Sequence, residues 1–141
     1  MSVFEVILVA CDGSEPSFHA LELALRLVEQ TGGSIVVLGV EGPLPRYAAT
    51  IGEVDEMVKE RERYFVGILD EARARATRRG LEISTTLRPG HAAEVIVHHA
   101  QDIDAALIVV GHKSHPVHDF AIGSTAARVS RHSHCPVLVV R

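Results

Sequence analysis

An α/β domain is predicted: a three-layer α/β/α sandwich with five parallel strands and four helices. Five short apolar runs alternate with four stretches whose apolar residues recur every three or four positions. These are the patterns of buried strands and of amphipathic helices. Glycine or proline punctuates the junctions between them. Right-handed crossovers between parallel strands then put helices on both faces of the sheet. With 141 residues, the chain reads as one domain, 1–141, able to bury roughly 70% of its unfolded surface.

Strand one is the run FEVILVA (4–10), and Asp12-Gly13-Ser14 turns the chain after it. Ser14 suits the N-cap of the first helix, and Pro16 falls in the first turn, where a missing N–H is tolerated. That helix carries Leu21, Ala24, Leu25 and Val28 on one face and stops at Gly32-Gly33. SIVVLGV (34–40) is strand two, and the proline- and glycine-bearing stretch 41–49 is loop. Thr50 and Glu53 stand at the spacing of a capping box. The helix behind them aligns Val54, Val58, Phe65, Ile68, Leu69, Ala72 and Ala76 toward the core. Its acidic start and basic end suit the helix dipole, and Gly80 closes it.

EISTTL (82–87) alternates more than the other runs, as a partly exposed edge strand does. A helix from about Ala92 turns Val95, Ile96, His99, Ala100 and Ile103 inward, with His99 read as a satisfied residue at the core's edge. His91 stands where an Asp, Asn or Ser cap is expected. LIVV (107–110) is strand four. The fourth helix presents Ala126 and Val129, and Pro136 introduces strand five, VLVV (137–140).

Composition narrows the function classes. Apolar residues make up 47% and aromatic residues 4%, with no Trp, so the core is aliphatic. No apolar run approaches the roughly 20 residues of a membrane span. No charged-then-apolar leader precedes strand one, so a cytoplasmic location without membrane contact is expected. Net charge is −4 and the basic residues are dispersed, which argues against a nucleic-acid partner. Protonation of the nine histidines would reverse the sign of that charge. Cys11 follows the first strand and Cys135 precedes the last, at opposite ends of a parallel sheet, so two reduced thiols are expected.

The stretch from Leu107 to Thr125 carries the most chemistry. A strand ends at Gly111, a polar loop follows, and Gly123-Ser124-Thr125 leads into a helix. Free N–H groups and the helix dipole favour an anion at such a helix start. In parallel sheets, ligands bind beyond the carboxyl ends of strands where the strand order reverses. If strands one and four are neighbours, Asp12 and Gly111 face one crevice.

Taken together, VILVACDGS (6–14), IVVG (108–111), Gly123-Ser124-Thr125 and CPVLVV (135–140) resemble the universal stress protein family. The likeness covers essentially the whole chain, within the wider group of Rossmann-like folds related to adenine nucleotide alpha-hydrolases. It implies a five-stranded Rossmann-like sheet, a homodimer joined through the last strand, and a regulatory role in stress response read by a protein partner. It also implies ATP, with magnesium, in many members and no nucleotide in others. By the resemblance, Asp12 sits at the ribose, and Val40 lines the base pocket. Val110 and Gly111 approach ribose and phosphates by their backbone, while Ser124 and Thr125 donate to phosphate oxygens. Lys113 supplies a cation.

The nucleotide-binding pattern in that family is Gly, two residues, Gly, nine residues, Gly and then Ser or Thr. Gly111, Gly123 and Ser124 match it. Ser114 replaces the middle glycine, and eight residues rather than nine separate it from Gly123. A serine there resists positive φ and crowds an approaching phosphate. Two readings follow: a nucleotide-responsive dimer, or a constitutive interaction module without nucleotide. Local readings stand beside the ligand roles, since Asp12 also suits a turn and Gly123-Ser124 a plain helix start. Cys11 reads as a buried, inert thiol.

Catalysis is not expected beyond incidental slow ATP hydrolysis, because the chain has neither GxxxxGK[ST] nor GxSxG. His112, His115, His118 and Asp119 are ligand types that zinc accepts. Pro116 interrupts them and their spacing matches no metal motif, so a polar loop is expected rather than a dedicated metal site.

Overall fold

The computed structural model describes residues 2–43, 50–113 and 121–141. Its elements are β1 (Val6–Ala10), α1 (Glu15–Thr31), β2 (Ser34–Glu41), α2 (Ile51–Arg78), β3 (Ser84–Pro89), α3 (Ala92–Asp102), β4 (Leu107–Gly111), α4 (Ser124–His132) and β5 (Val137–Val140). The strands form one parallel sheet in the order β3-β2-β1-β4-β5. This is the expected α/β three-layer arrangement, with β1 central and beside β4.

Alternation along each strand divides the core into two layers. Ile7 and Val9 of β1, Ile35 and Val37 of β2 and Val109 of β4 pack with Leu21, Leu25, Phe65 and Ile68 of α1 and α2. Leu8, Leu38, Ile108 and Val110 point the other way, to Ile96, Val97 and Val129 of α3 and α4. Both cysteines are free, and Cys11 is buried.

The helix starts follow their local chemistry. Ser14 Oγ accepts from Ser17 N at 3.3 Å. Thr50 and Glu53 close the capping box, with Glu53 N donating to Thr50 Oγ1 at 3.1 Å and Thr50 N to Glu53 Oε2 at 3.4 Å. The ends of α1 and α2 are held together as well. Glu22 accepts from Arg75 and Arg79, Arg79 reaches Glu29 at 2.7 Å, and Arg75 lies 4.3 Å over the Phe18 ring.

Four expectations need correction. Strand one begins at Val6 rather than at residue 4, and strand three spans Ser84–Pro89 rather than 82–87. On an edge, Pro89 needs no outward donor and ends the strand without a lost ladder bond. Val54 and Val58 are exposed, not core. The 28-residue α2 is about 42 Å long at 1.5 Å per residue, whereas the eight-residue β2 beneath it spans about 26 Å. The first half of α2 therefore overhangs the sheet.

His99 is the fourth. It is only 5% exposed, and neither ring nitrogen finds a hydrogen-bond partner among the described residues. Burial, then the nearby Arg88 charge, hold its pKa below the ordinary histidine value, and Asp102 opposes them weakly. Below about pH 6.5 the unfolded chain takes up a proton at this position that the folded chain resists, so stability falls on acidification. Above that value both states are neutral and the term vanishes. The slope from one such proton is at most about 1.4 kcal/mol per pH unit. Urea unfolding at pH 7.0 and pH 5.5 should therefore show a smaller acid loss in His99→Leu than in wild type. Equal losses in the two proteins would remove His99 as the cause.

Candidate functional site

At the carboxyl end of the sheet the chain leaves β1 for β2 on one side, while β4 lies on the other. The connections diverge there and leave a crevice. A cavity of about 580 Å³ occupies it, within the size range of small-ligand sites.

Asp12 stands at the rim, just past β1. Its Oδ1 accepts from Ser14 N at 3.0 Å, which is the turn-forming role that aspartate commonly takes. Gly13 then adopts φ +88°, a conformation suited to glycine, and a Cβ there would lie 2.7 Å from the Tyr64 hydroxyl. Asp12 is exposed, and among the described residues its other carboxylate oxygen has no hydrogen-bond partner, so it can accept from a hydroxyl.

The wall behind this turn is apolar. Ala10, Leu38 and Val40 from β1 and β2, with Ala92 and Ile96 from α3, line it. Cys11 lies in the same wall. Its Sγ is 3.5 Å from Ser17 Oγ, and burial raises the thiol's pKa, which disfavours the reactive thiolate.

The opposite wall is built from backbone. Val110 and Gly111 end β4, and His112 N still donates to Val140 O. Gly123 N then donates to His112 O at 2.7 Å, bringing residues 112 and 123 together. A Cβ on Gly123 would sit 3.0 Å from Lys113 Cα. Gly123 is the N-cap of α4, and among the described residues no side-chain bond caps this helix. Ser124 is thus the first helical residue. Gly123, Ser124, Thr125 and Ala126 at this helix start line the cavity, and the free N–H groups of a helix N-terminus favour an anion. Lys113 is the one cationic side chain among the described lining residues, and Asp12 the one carboxylate.

Asp12, Val40, Val110, Gly111, Lys113, Gly123, Ser124 and Thr125 therefore line a single cavity. Ser114 lies outside the described residues, as do His115, His118 and Asp119 of the histidine set. Among the described residues no cluster of three or more His, Cys, Asp or Glu is placed to hold a metal. No described helix is long and apolar enough to cross a membrane.

Sequence reasoning missed Tyr64, Ala92 and Ile96. The α3 pair carried a signal, since α3 begins beyond the carboxyl end of β3, where ligands gather. Tyr64 carried none, because its helical position faces neither the core stripe nor a recognisable motif. Its hydroxyl donates to the Asp12 carbonyl at 3.0 Å.

A model of the universal stress protein family matches residues 4–141. Universal stress protein YxiE of Bacillus subtilis is 33% identical over 148 residues, covering 99% of this chain and 100% of that protein. Among solved structures, a universal stress protein in complex with cAMP superposes with a TM-score of 0.77 at 24% identity, covering 99% of each chain. A universal stress family protein of Arabidopsis thaliana with AMP bound gives 0.71 at 17% identity, covering 96% of this chain and 90% of that one. At such identities these two structures share the fold with this chain.

Proposed function

Because the chain belongs to the universal stress protein family, we propose that it is a regulatory adenine-nucleotide-binding protein of the cytoplasm, acting in stress response as a homodimer. One observation carries the ligand: the Asp12 carboxylate, Lys113 and the glycine-capped start of α4 line one apolar-walled cavity. Adenine suits the wall of Leu38, Val40 and Ile96, ribose hydroxyls suit Asp12, and phosphate suits Gly123–Thr125. Relatives in fold that hold cAMP and AMP support the same ligand class, with ATP and magnesium as the further candidate.

The protein works without dedicated catalysis in this reading. Asp12 has no second carboxylate beside it among the described lining residues, so these residues offer no pair to hold a metal for phosphoryl transfer. Any ATP hydrolysis is slow and incidental, and a protein partner reads the occupied state.

Thermal unfolding with AMP and with Mg-ATP tests the ligand. Nucleotide at about 100 times its dissociation constant adds about 2.7 kcal/mol, a shift of several degrees at this chain length. Asp12→Ala should lose most of that shift. No shift with either nucleotide would favour a constitutive interaction module, the reading that Ser114 and the short loop support.

A further inference from the structure

The two halves of α2 are held very differently. From Phe65 onward the helix enters the core through Ile68, Leu69, Ala72 and Ala76, and its last turns join α1 through Arg75 and Arg79. Over residues 51–64 only Met57 and Arg61 are even partly buried. A helical stretch this short is marginal in water without tertiary support.

Among the described residues, the polar side chains of Arg61 and Tyr64 tie this overhanging half to the cavity's surroundings. Arg61 pairs with Glu41 at 3.2 Å and also donates to the Gly42 carbonyl, just beyond the β2 end that bears Val40. Tyr64, 57% exposed as a residue, donates to the Asp12 carbonyl and forms part of the cavity lining. The ring is held edge-on against Phe65, with centroids 5.4 Å apart. Tyr64 thus touches both the turn that presents the Asp12 carboxylate and the helix that the core leaves uncovered.

We propose that Tyr64 is a positioning residue that couples occupancy of the cavity to the order of the first half of α2. The ligand side rests on the nucleotide reading above. A ligand that fixes the Asp12 turn strengthens the Tyr64 bond, and this bond restrains residues 51–64. By reciprocity, a loosened helix weakens binding. Ligand arrival is thereby displayed on a surface away from the phosphates, as increased order of an exposed helix.

Hydrogen exchange of α2, with calorimetry alongside, tests this on the full chain and on Tyr64→Phe, which keeps the ring and removes the hydroxyl. In the free protein, Tyr64→Phe should speed exchange over residues 55–64 by about fivefold, the worth of one hydrogen bond, and leave residues 66–78 unchanged. AMP should slow residues 55–64 in wild type and much less in Tyr64→Phe, whose affinity should fall by about the same factor. Unchanged free-protein exchange in the variant would overturn the tether. AMP that binds by calorimetry yet protects residues 55–64 equally in both proteins, or in neither, would overturn the coupling and leave the nucleotide reading standing. No heat with AMP or Mg-ATP would remove that reading and the coupling together.

Discussion

Gly111→Ala should destabilise the protein by about 1–3 kcal/mol, the usual penalty for forcing a methyl group into a packed site. A Cβ at Gly111 would lie 2.8 Å from the Pro16 carbonyl carbon, 2.9 Å from Pro16 Cβ and 2.9 Å from Ser17 N. These are largely backbone atoms of the first turn of α1, which cannot rotate aside as a flexible side chain would. Ser14 caps that turn, and Ala20 and Leu21 anchor the next one in the core. Relief therefore requires α1 to shift off the end of β4, which disturbs the Asp12 turn as well, so nucleotide affinity should fall with stability. Gly67→Ala is the control, since a Cβ there meets nothing within 4 Å. In mid-helix it should stabilise by about 0.5–1 kcal/mol. Urea unfolding of the two variants checks both signs. A Gly111→Ala protein as stable as wild type would mean that α1 has room to move.

This glycine shows what a sequence discloses and what it withholds. Gly111 was legible as the end of a strand and as a position suited to phosphate approach. Its contact with Pro16 was not, because that depends on the distance between two elements about 95 residues apart. The same division runs through the fold. The β1–β4 adjacency entered only as a condition and is settled by the sheet order, whereas strand and helix identities, the Ser14 cap and the Thr50–Glu53 capping box follow from local pattern. The exposure of Val54 and Val58 does not. Their periodicity is that of a core face, and only the length of the sheet beneath decides where the helix outruns it. His99 likewise sits on a proper apolar stripe, but periodicity predicts burial and is silent on hydrogen-bond partners. At the site, every described residue expected to touch ligand does line the cavity, since those positions are strand ends and a helix start. Tyr64 reaches the same place from the middle of a helix, where spacing offers no clue.

Val139→Pro should convert the proposed dimer into a monomer while leaving each subunit folded. The sheet has two edges, β3 and β5, and they differ in character. Strand β3 reads STTLRP, with Thr85 bonded to Arg73 of α2, a polar and partly covered edge of the kind that discourages pairing. Strand β5 reads VLVV, half-buried along its length. The carbonyls of Pro136 and Val140 accept from Ile108 N of β4 and from His112 N just after it. The two-residue period of a strand then turns the N–H and C=O of Val137 and Val139 outward. These groups are what a second copy of the chain would pair with across a two-fold axis. Proline at 139 deletes an outward donor and spares the inner ladder, the setting in which strands tolerate proline. Leu138→Pro removes an inward donor instead and should destabilise the subunit itself. Sedimentation at matched concentrations distinguishes these outcomes: wild type as dimer, Val139→Pro as folded monomer by circular dichroism. A Val139→Pro protein that remains dimeric would place the interface on another surface, with the uncovered first half of α2 next to be examined.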